Sequence, residues 1–390
     1  MSEFVSIVGG EGAEIWDSDG NRYIDGMASL WYMNVGHGHP KMVEAITTQA
    51  KALASYHTFA PFSNPPAEQL ADTILDLSPF DTGRVFLGSS GSEAVDSAMK
   101  IARIAQREAG RPHKTMIVSR EHGYHGTNYG GTSAQGIPVN REGFGELVGN
   151  VVNVAGPDIE PMARLFAEQG DSIAAVLSEP LQGAGGVFPP PEGYLEGLRA
   201  LCDEHDAFLI FDEVITGFGR LGTWFAAEHY GVQPDLITFA KAASSGYVPL
   251  GGVVVGPAVA DALMANEGFA LKHGYTYSGH PLAAAAGNAA IAIQRDEGLL
   301  ERVPGIERRL GDGLRALQGD GLVTEVRGSG AVWAIQLPEG RDAMKDRDGV
   351  LAEGVIVRPL GNALAMCPPL VITDTQIDRM VDALAKVLSS

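Results

Sequence analysis

The sequence predicts an α/β fold: a large domain around a mainly parallel seven-stranded sheet, joined to a smaller α+β domain. Three observations predict it. At 390 residues the chain exceeds one typical domain. Seven short apolar runs, "RVFL" (84–87), "TMIVS" (115–119), "NVVNV" (150–154), "AAVLS" (174–178), "AFLIFD" (207–212), "LITFA" (236–240) and "GVVVG" (252–256), are continuous rather than alternating, as strands covered on both faces are. Between several of them lie helical patterns such as "SEAVDSAMKIARIAQREAG" and "GYLEGLRALCDEHD", which supply the βαβ rhythm.

In chain order, "AEIWDSDGNRYIDG" near the N-terminus reads as two strands around a tight "DSDG" turn. The sheet-forming region then occupies residues 45–280. After "SGHP", the alanine-rich "LAAAAGNAAIAIQ" leads into a second region. There "LVTEVRGSGAVWAIQL" and "GVIVRPLGNALAMCPPLVI" read as strands, and "TDTQIDRMVDALAKVL" as a helix opened by a Thr/Asp cap. Residues 1–44 and 281–390 are thus expected to form the smaller domain.

Composition excludes several classes of function. A formal net charge of −20 argues against general affinity for nucleic acid or anionic lipid, which need basic patches. No segment sustains the roughly 18 apolar residues of a membrane span, and the N-terminus lacks a basic region followed by a long apolar stretch. The two cysteines, Cys202 and Cys367, imply no disulfide framework. The expected setting is a reducing cytoplasm.

Three strand exits carry chemistry. "LGSSGSEAVDSAMKIAR" follows "RVFL"; Ser90 and Glu93 fit an S-x-x-E capping box, and the free N–H groups at such a helix start could hold a phosphate through Ser90, Gly91 and Ser92. The same stretch also reads as an ordinary capped helix. Asp212 ends the apolar strand in "FLIFDEVITGFGR", where open α/β sheets place ligands; it could hold a protonated pyridine nitrogen or pair with Arg220. Lys241, in "ITFAKAASSGYVPLGG", alone of the eight lysines closes a continuous apolar strand and meets a Ser/Gly loop. Burial would lower its pKa toward the neutral amine that attacks carbonyls, although a lysine snorkelling at a strand end is common.

Taken together, a phosphate cup, a carboxylate for a pyridinium and an amine for an aldehyde are the handles of pyridoxal 5'-phosphate. Metal binding is the competing use for the histidines of "HGHP" and "EHGYHG", but neither matches a zinc signature, so no metal is expected. Tyr124 in "GYHG" offers an aromatic face for a ring, or a buried tyrosine of the core.

At this point "SSGSEAVDSAMKIAR", "GYHG", "SEPLQGAGGV", the long block from "IFDEVITGFGR" to "YVPLGG", and "GYTYSGHP" resemble the class III, fold-type-I aminotransferases, from about residue 12 to the C-terminus. The resemblance implies Lys241 as the Schiff-base lysine and proton shuttle, and Asp212 as partner of the pyridinium. It implies Val214 and Tyr124 on the two ring faces, Gly91 and Ser92 on the phosphate, and His125, Glu179 and Gln182 beside the cofactor. Thr276 would reach the phosphate of a neighbouring subunit in a homodimer.

"GMASLWYMNVGHGHP" resembles the segment contributing Trp31 to a pocket wall, and "YHTF" the one contributing Phe59. "VRPLGNALAMCPPLVIT" resembles ω-amino acid or amine:pyruvate transaminases and also diaminopelargonate enzymes, with Arg358 as the carboxylate-binding arginine. The implied reaction is ping-pong transfer of an amino group from an amine or ω-amino acid to pyruvate or a similar keto acid. The alternatives are a diaminopelargonate-type transaminase and a same-fold aminomutase or decarboxylase. The chain departs from the family pattern in the few residues before its first predicted strand, in a compact region between "GYHG" and "SEPLQGAGG", and in Val95, where asparagine is common. These departures bear on substrate range.

Overall fold

The computed structural model describes residues 4–390. Three N-terminal strands, β1 (Ile7–Glu11), β2 (Glu14–Asp17) and β3 (Arg22–Ile24), form an antiparallel meander. The turn after β2 is tied by Asp17, whose carboxylate accepts from the amides of Asp19 and Asn21 and from the Tyr23 hydroxyl.

Seven strands make the central sheet: β4 (Arg84–Gly88), β5 (Met116–Arg120), β6 (Val151–Val154), β7 (Ile173–Ser178), β8 (Phe208–Asp212), β9 (Leu236–Phe239) and β10 (Gly251–Val255). Their order is β4-β10-β9-β8-β7-β5-β6. Only β10 runs antiparallel, to both β4 and β9; the other neighbours are parallel. The carboxyl ends of β4, β5, β7, β8 and β9 therefore share one edge, and the start of β10 joins them. β10 can lie there because Gly251 has no side chain: a Cβ would stand 2.6 Å from the Ser90 carbonyl oxygen.

The continuous apolar runs are divided between two cores by the two-residue period of a strand. Along β8, Leu209 and Phe211 face one core with Val118, Val176 and Ile237, while Phe208 and Ile210 face the other. The second core is closed by the helix Gly91–Glu108, which buries Ala94, Ala98, Ile101, Ala102 and Ala105 at helical spacing.

A third core lies under the antiparallel sheet β11-β12-β14-β13, built from β11 (Glu325–Ser329), β12 (Val332–Gln336), β13 (Arg358–Leu360) and β14 (Ala363–Met366). Trp333, Ile335, Leu364 and Met366 meet Leu310, Leu314, Ile377 and Leu384 from flanking helices, and Ile24, Val35 and Met42 from the N-terminal segment. The helix Asp374–Leu388 opens on a capping box between Thr373 and Gln376.

The alanine-rich helix Pro281–Asp296 connects the regions. It gives Ala283, Ala284 and Ile291 to a sheet core and Ala286, Ala290 and Ile293 to the third core. Small side chains let both faces pack closely.

Candidate active site

A cavity of about 340 Å³ opens at the strand-exit edge. Ser89, Ser90, Gly91 and Ser92 reach it from beyond β4, Tyr124 and His125 from beyond β5, and Glu179 from beyond β7. Asp212 and Val214 come from the end of β8, and Lys241 and Ser244 from beyond β9. Five strand ends thus converge where the apolar-run reading placed the chemistry.

At the helix start, the Ser90 hydroxyl accepts from the Glu93 amide at 3.2 Å. The return half of the box is displaced by one residue: the Glu93 carboxylate accepts from the Ser89 amide at 2.7 Å and the Ser89 hydroxyl at 2.8 Å. The first-turn N–H groups at Gly91 and Ser92 have no carbonyl one turn earlier to receive them, and they border the cavity. With the positive end of the 18-residue helix behind them, they suit an anion.

Asp212 is buried at 4% exposure. One carboxylate oxygen meets His125 Nδ1 at 2.8 Å; the other accepts from the Thr238 hydroxyl at 3.0 Å and the Val214 amide at 3.2 Å. Thr238 reaches it because it stands opposite Asp212 in the β8–β9 register. Arg220 is not its partner. That guanidinium is fully buried elsewhere, donating to the Pro368 carbonyl at 2.6 Å and to Asn34 Oδ1. Asp212 thus stands at the cavity wall on His125, Thr238 and Val214, and His125 Nε2, also buried, has no partner among the described residues.

Lys241 has φ +46°, a left-handed conformation that residues with a Cβ rarely adopt. Burial holds its ammonium pKa below the ordinary lysine value, against the opposing pull of the Asp212 and Glu179 carboxylates. Glu179 is pushed up to about 7 by burial, partly offset by His125. Its two oxygens accept from the Tyr124 amide at 2.8 Å and the Gly183 amide at 2.9 Å. The phenol of Tyr124 is also raised by burial, with the Arg358 guanidinium opposing.

Five of the sequence-derived candidates do not line this cavity. Gln182 is buried behind it, donating to the Glu121 carbonyl at 2.7 Å. Trp31 is 2% exposed in a cluster with Met27, Leu181 and Ile215. Arg358 is exposed, and among the described residues its side chain has no hydrogen bond or ion pair, yet its charge acts on both Tyr124 and Lys241. Phe59 is 51% exposed beside a separate cavity, and Thr276 is exposed.

Sequence reasoning missed Tyr32, Ser244 and Gly246 on the cavity and Thr238 under Asp212. Thr238 had a signal, being the one polar residue inside the buried run "LITF". Tyr32 had none, because its direction depends on an irregular backbone. Among the described residues no group of His, Cys, Asp and Glu is arranged to hold a metal ion, and no helix is long and apolar enough to cross a membrane.

The arrangement fits pyridoxal phosphate: an anion seat, a buried carboxylate lacking a full cationic partner, and an amine biased toward its neutral form in one cavity. Comparison with known proteins agrees. Residues 2–388 match the sequence model of the family described as Aminotransferase class-III. An omega-aminotransferase of Caulobacter vibrioides is 41% identical over 94% of this chain and 89% of its own. A putrescine–pyruvate aminotransferase of Pseudomonas aeruginosa is 36% identical over 97% and 89%. The solved amine transaminase of an uncultivated Pseudomonas species, in its PLP-bound form, superposes with a TM-score of 0.95 at 34% identity, covering 99% of this chain and 95% of that one.

Proposed function

The chain belongs to the class-III aminotransferases, pyridoxal-phosphate enzymes, and from that premise we propose that it moves an amino group from an amine or ω-amino acid to pyruvate or a similar keto acid. The observation that carries this reading is Arg358, an exposed guanidinium without a partner among the described residues whose field reaches Lys241 and Tyr124. Arg358 is outside the cavity lining of Tyr32, Tyr124, Val214 and Ile215, but its charge acts on two lining residues, and its planar fork suits the carboxylate of a keto acid. When an uncharged amine occupies the cavity instead, the arginine is left in water, at little cost. The names of the relatives, omega-aminotransferase and putrescine–pyruvate aminotransferase, support the same assignment.

When bound, pyridoxal phosphate supplies an aldehyde and an electron-withdrawing ring that stabilises charge on the amine-bearing carbon. Ser90, Gly91 and Ser92 hold its phosphate at the helix start, and Tyr124 and Val214 confine its ring. Asp212, oriented by His125 and Thr238, keeps the proton on the ring nitrogen. Glu179, its carboxyl raised to about 7 by burial, would face the ring hydroxyl, with Gln182 behind the lining on the Glu121 carbonyl. Lys241 Nζ would take the proton from the substrate's amine-bearing carbon, a role that burial favours by holding its pKa below the ordinary lysine value.

The same reading makes the enzyme a homodimer in which Thr276 serves the partner's phosphate. In support, Thr276 is exposed and lies outside its own cavity, and Tyr56, Phe59, Phe62 and Tyr277 also expose large aromatic surface. Phe59 would then border the substrate from across the interface, while Trp31 would back the pocket wall from behind Ile215 without touching the substrate. Residues 45–280 would form the cofactor domain and the flanking segments the smaller one. A cytoplasmic setting suits two buried free thiols.

The test is a panel of amines and ω-amino acids run with pyruvate and with 2-oxoglutarate, following product amine. Absence of turnover with every donor and both acceptors would refute the proposal.

A further inference from the structure

Between Asp25 and Tyr32 the backbone is unusual. Ala28, Ser29 and Trp31 have φ of +45°, +59° and +70°, three left-handed non-glycine residues within four positions. Such conformations persist only where surrounding contacts over-determine them. Here the buried Asp25 carboxylate does so: it accepts from the Met27 amide at 3.2 Å and the Ser29 amide at 2.6 Å, and lies 2.7 Å from His37 Nε2. The Trp31 ring anchors the segment in the core with Met27 and Leu181.

The outcome of this fold is the direction of Tyr32. The following side chain is turned to the cavity, where it stands with Lys241, Tyr124 and Ile215. Its hydroxyl accepts from the Ser29 hydroxyl at 2.6 Å. Its ring packs on Gly246, in the loop that begins at Lys241; a Cβ at Gly246 would fall 2.2 Å from the ring. Tyr32 is therefore held at its hydroxyl by Ser29 and along one edge by Gly246.

Resting on the transaminase reading above, we infer that Tyr32 is a specificity-determining residue. Its clamped ring narrows the cavity beside the loop of Lys241, selecting amines whose amine-bearing carbon is unbranched. Asp25, paired with His37, is the positioning residue that sets the ring. A second substituent on the reacting carbon needs the space the ring fills.

The probes are 1-butylamine and 2-butylamine, equal in atoms and differing in branching, with pyruvate as acceptor and holoenzyme throughout. Wild type favours 1-butylamine. Tyr32→Ala raises the ratio of kcat/KM for 2-butylamine over 1-butylamine at least tenfold, with Tyr32→Leu as the second variant should the first not fold. Tyr32→Phe, which keeps the ring on Gly246, changes the ratio less than threefold. Asp25→Asn moves it in the same direction as Tyr32→Ala, and the double variant moves it no further than Tyr32→Ala alone.

A ratio within twofold of wild type in Tyr32→Ala or Tyr32→Leu overturns the specificity role. Additive effects in the double variant overturn the positioning role. Dissociation constants of both amines from isothermal titration read the same selectivity without turnover. Wild type that binds with this preference but transfers no amino group sinks the transaminase reading and supports the role of Tyr32; wild type that binds neither amine overturns both.

Discussion

His125 Nδ1 lies 2.8 Å from a carboxylate oxygen of Asp212, and both side chains are buried at the exits of different strands, 87 residues apart. The imidazole orients the carboxylate while leaving room for a stronger cation, so the pair is arranged to be completed by a ligand. Replacing Asp212 with Asn keeps the shape and removes the charge. Activity should fall at least about 100-fold, as for loss of a preorganised electrostatic partner. The variant should also bind pyridoxal phosphate more weakly in a fluorescence titration, with an unchanged circular dichroism spectrum. Full activity in Asp212→Asn would remove that carboxylate from the chemistry.

Lys241 is expected to be the covalent attachment point. Borohydride treatment of wild-type protein supplied with pyridoxal phosphate should fix the cofactor mass on the peptide containing Lys241. Lys241→Ala should show neither that adduct nor any half-reaction with an amine donor. An adduct at another lysine would move the site.

Arg358→Ala should raise KM for pyruvate about 10-fold to 100-fold, the loss of one charge-assisted bidentate contact. KM for an uncharged amine should hardly change. The split between the two half-reactions is the measurement, because a general loss of folding would lower kcat with both substrates and leave both KM values unchanged.

If Thr276 serves the partner's site, Lys241→Ala and Thr276→Ala subunits should complement. Refolded together, they yield dimers with one doubly altered site and one intact site. Activity above that of either variant alone is the expected result, and its absence would place Thr276 outside the partner's phosphate seat.

Glu213, next to Asp212, accepts from the amides of Ala226 and Ala227 and the hydroxyl of Thr216, and burial pushes its carboxyl from 4.5 up to about 7. An acid raised in this way holds more protons folded than unfolded between those values. Its stabilising contribution is full below about pH 4.5 and is lost as pH rises through about 7. Glu179 shifts in the same direction, so apoenzyme stability should decline from pH 5 to pH 8. In Glu213→Gln that decline should shrink by on the order of 2–3 kcal/mol, read from urea midpoints across the range. An unchanged slope would show that Glu213 ionises freely.

Much of this was legible in the amino-acid order. The seven apolar runs are the seven strands of the central sheet to within a residue or two, because a strand covered on both faces is apolar at nearly every position. Ser90, Asp212 and Lys241 were legible because a cap, a carboxylate and an amine each interrupt such a pattern where a strand must end. The partner of Asp212 was not. Arg220 lies only eight residues away in sequence, yet it is drawn into the core by Asn34 and the Pro368 carbonyl, while His125 arrives from another strand.

The sequence by itself therefore determined the layers, the strand-exit edge and the chemical types gathered there, since periodicity and local interruption are properties of neighbouring residues. Only the tertiary structure decided which side chains face one another. Tyr32 rather than Trp31 lines the cavity because three left-handed residues, held by Asp25, His37 and a buried indole, turn the chain there. Gly246, more than 200 positions further on, leaves the space that receives the ring. Contacts over such separations are set by packing, and no local pattern encodes them.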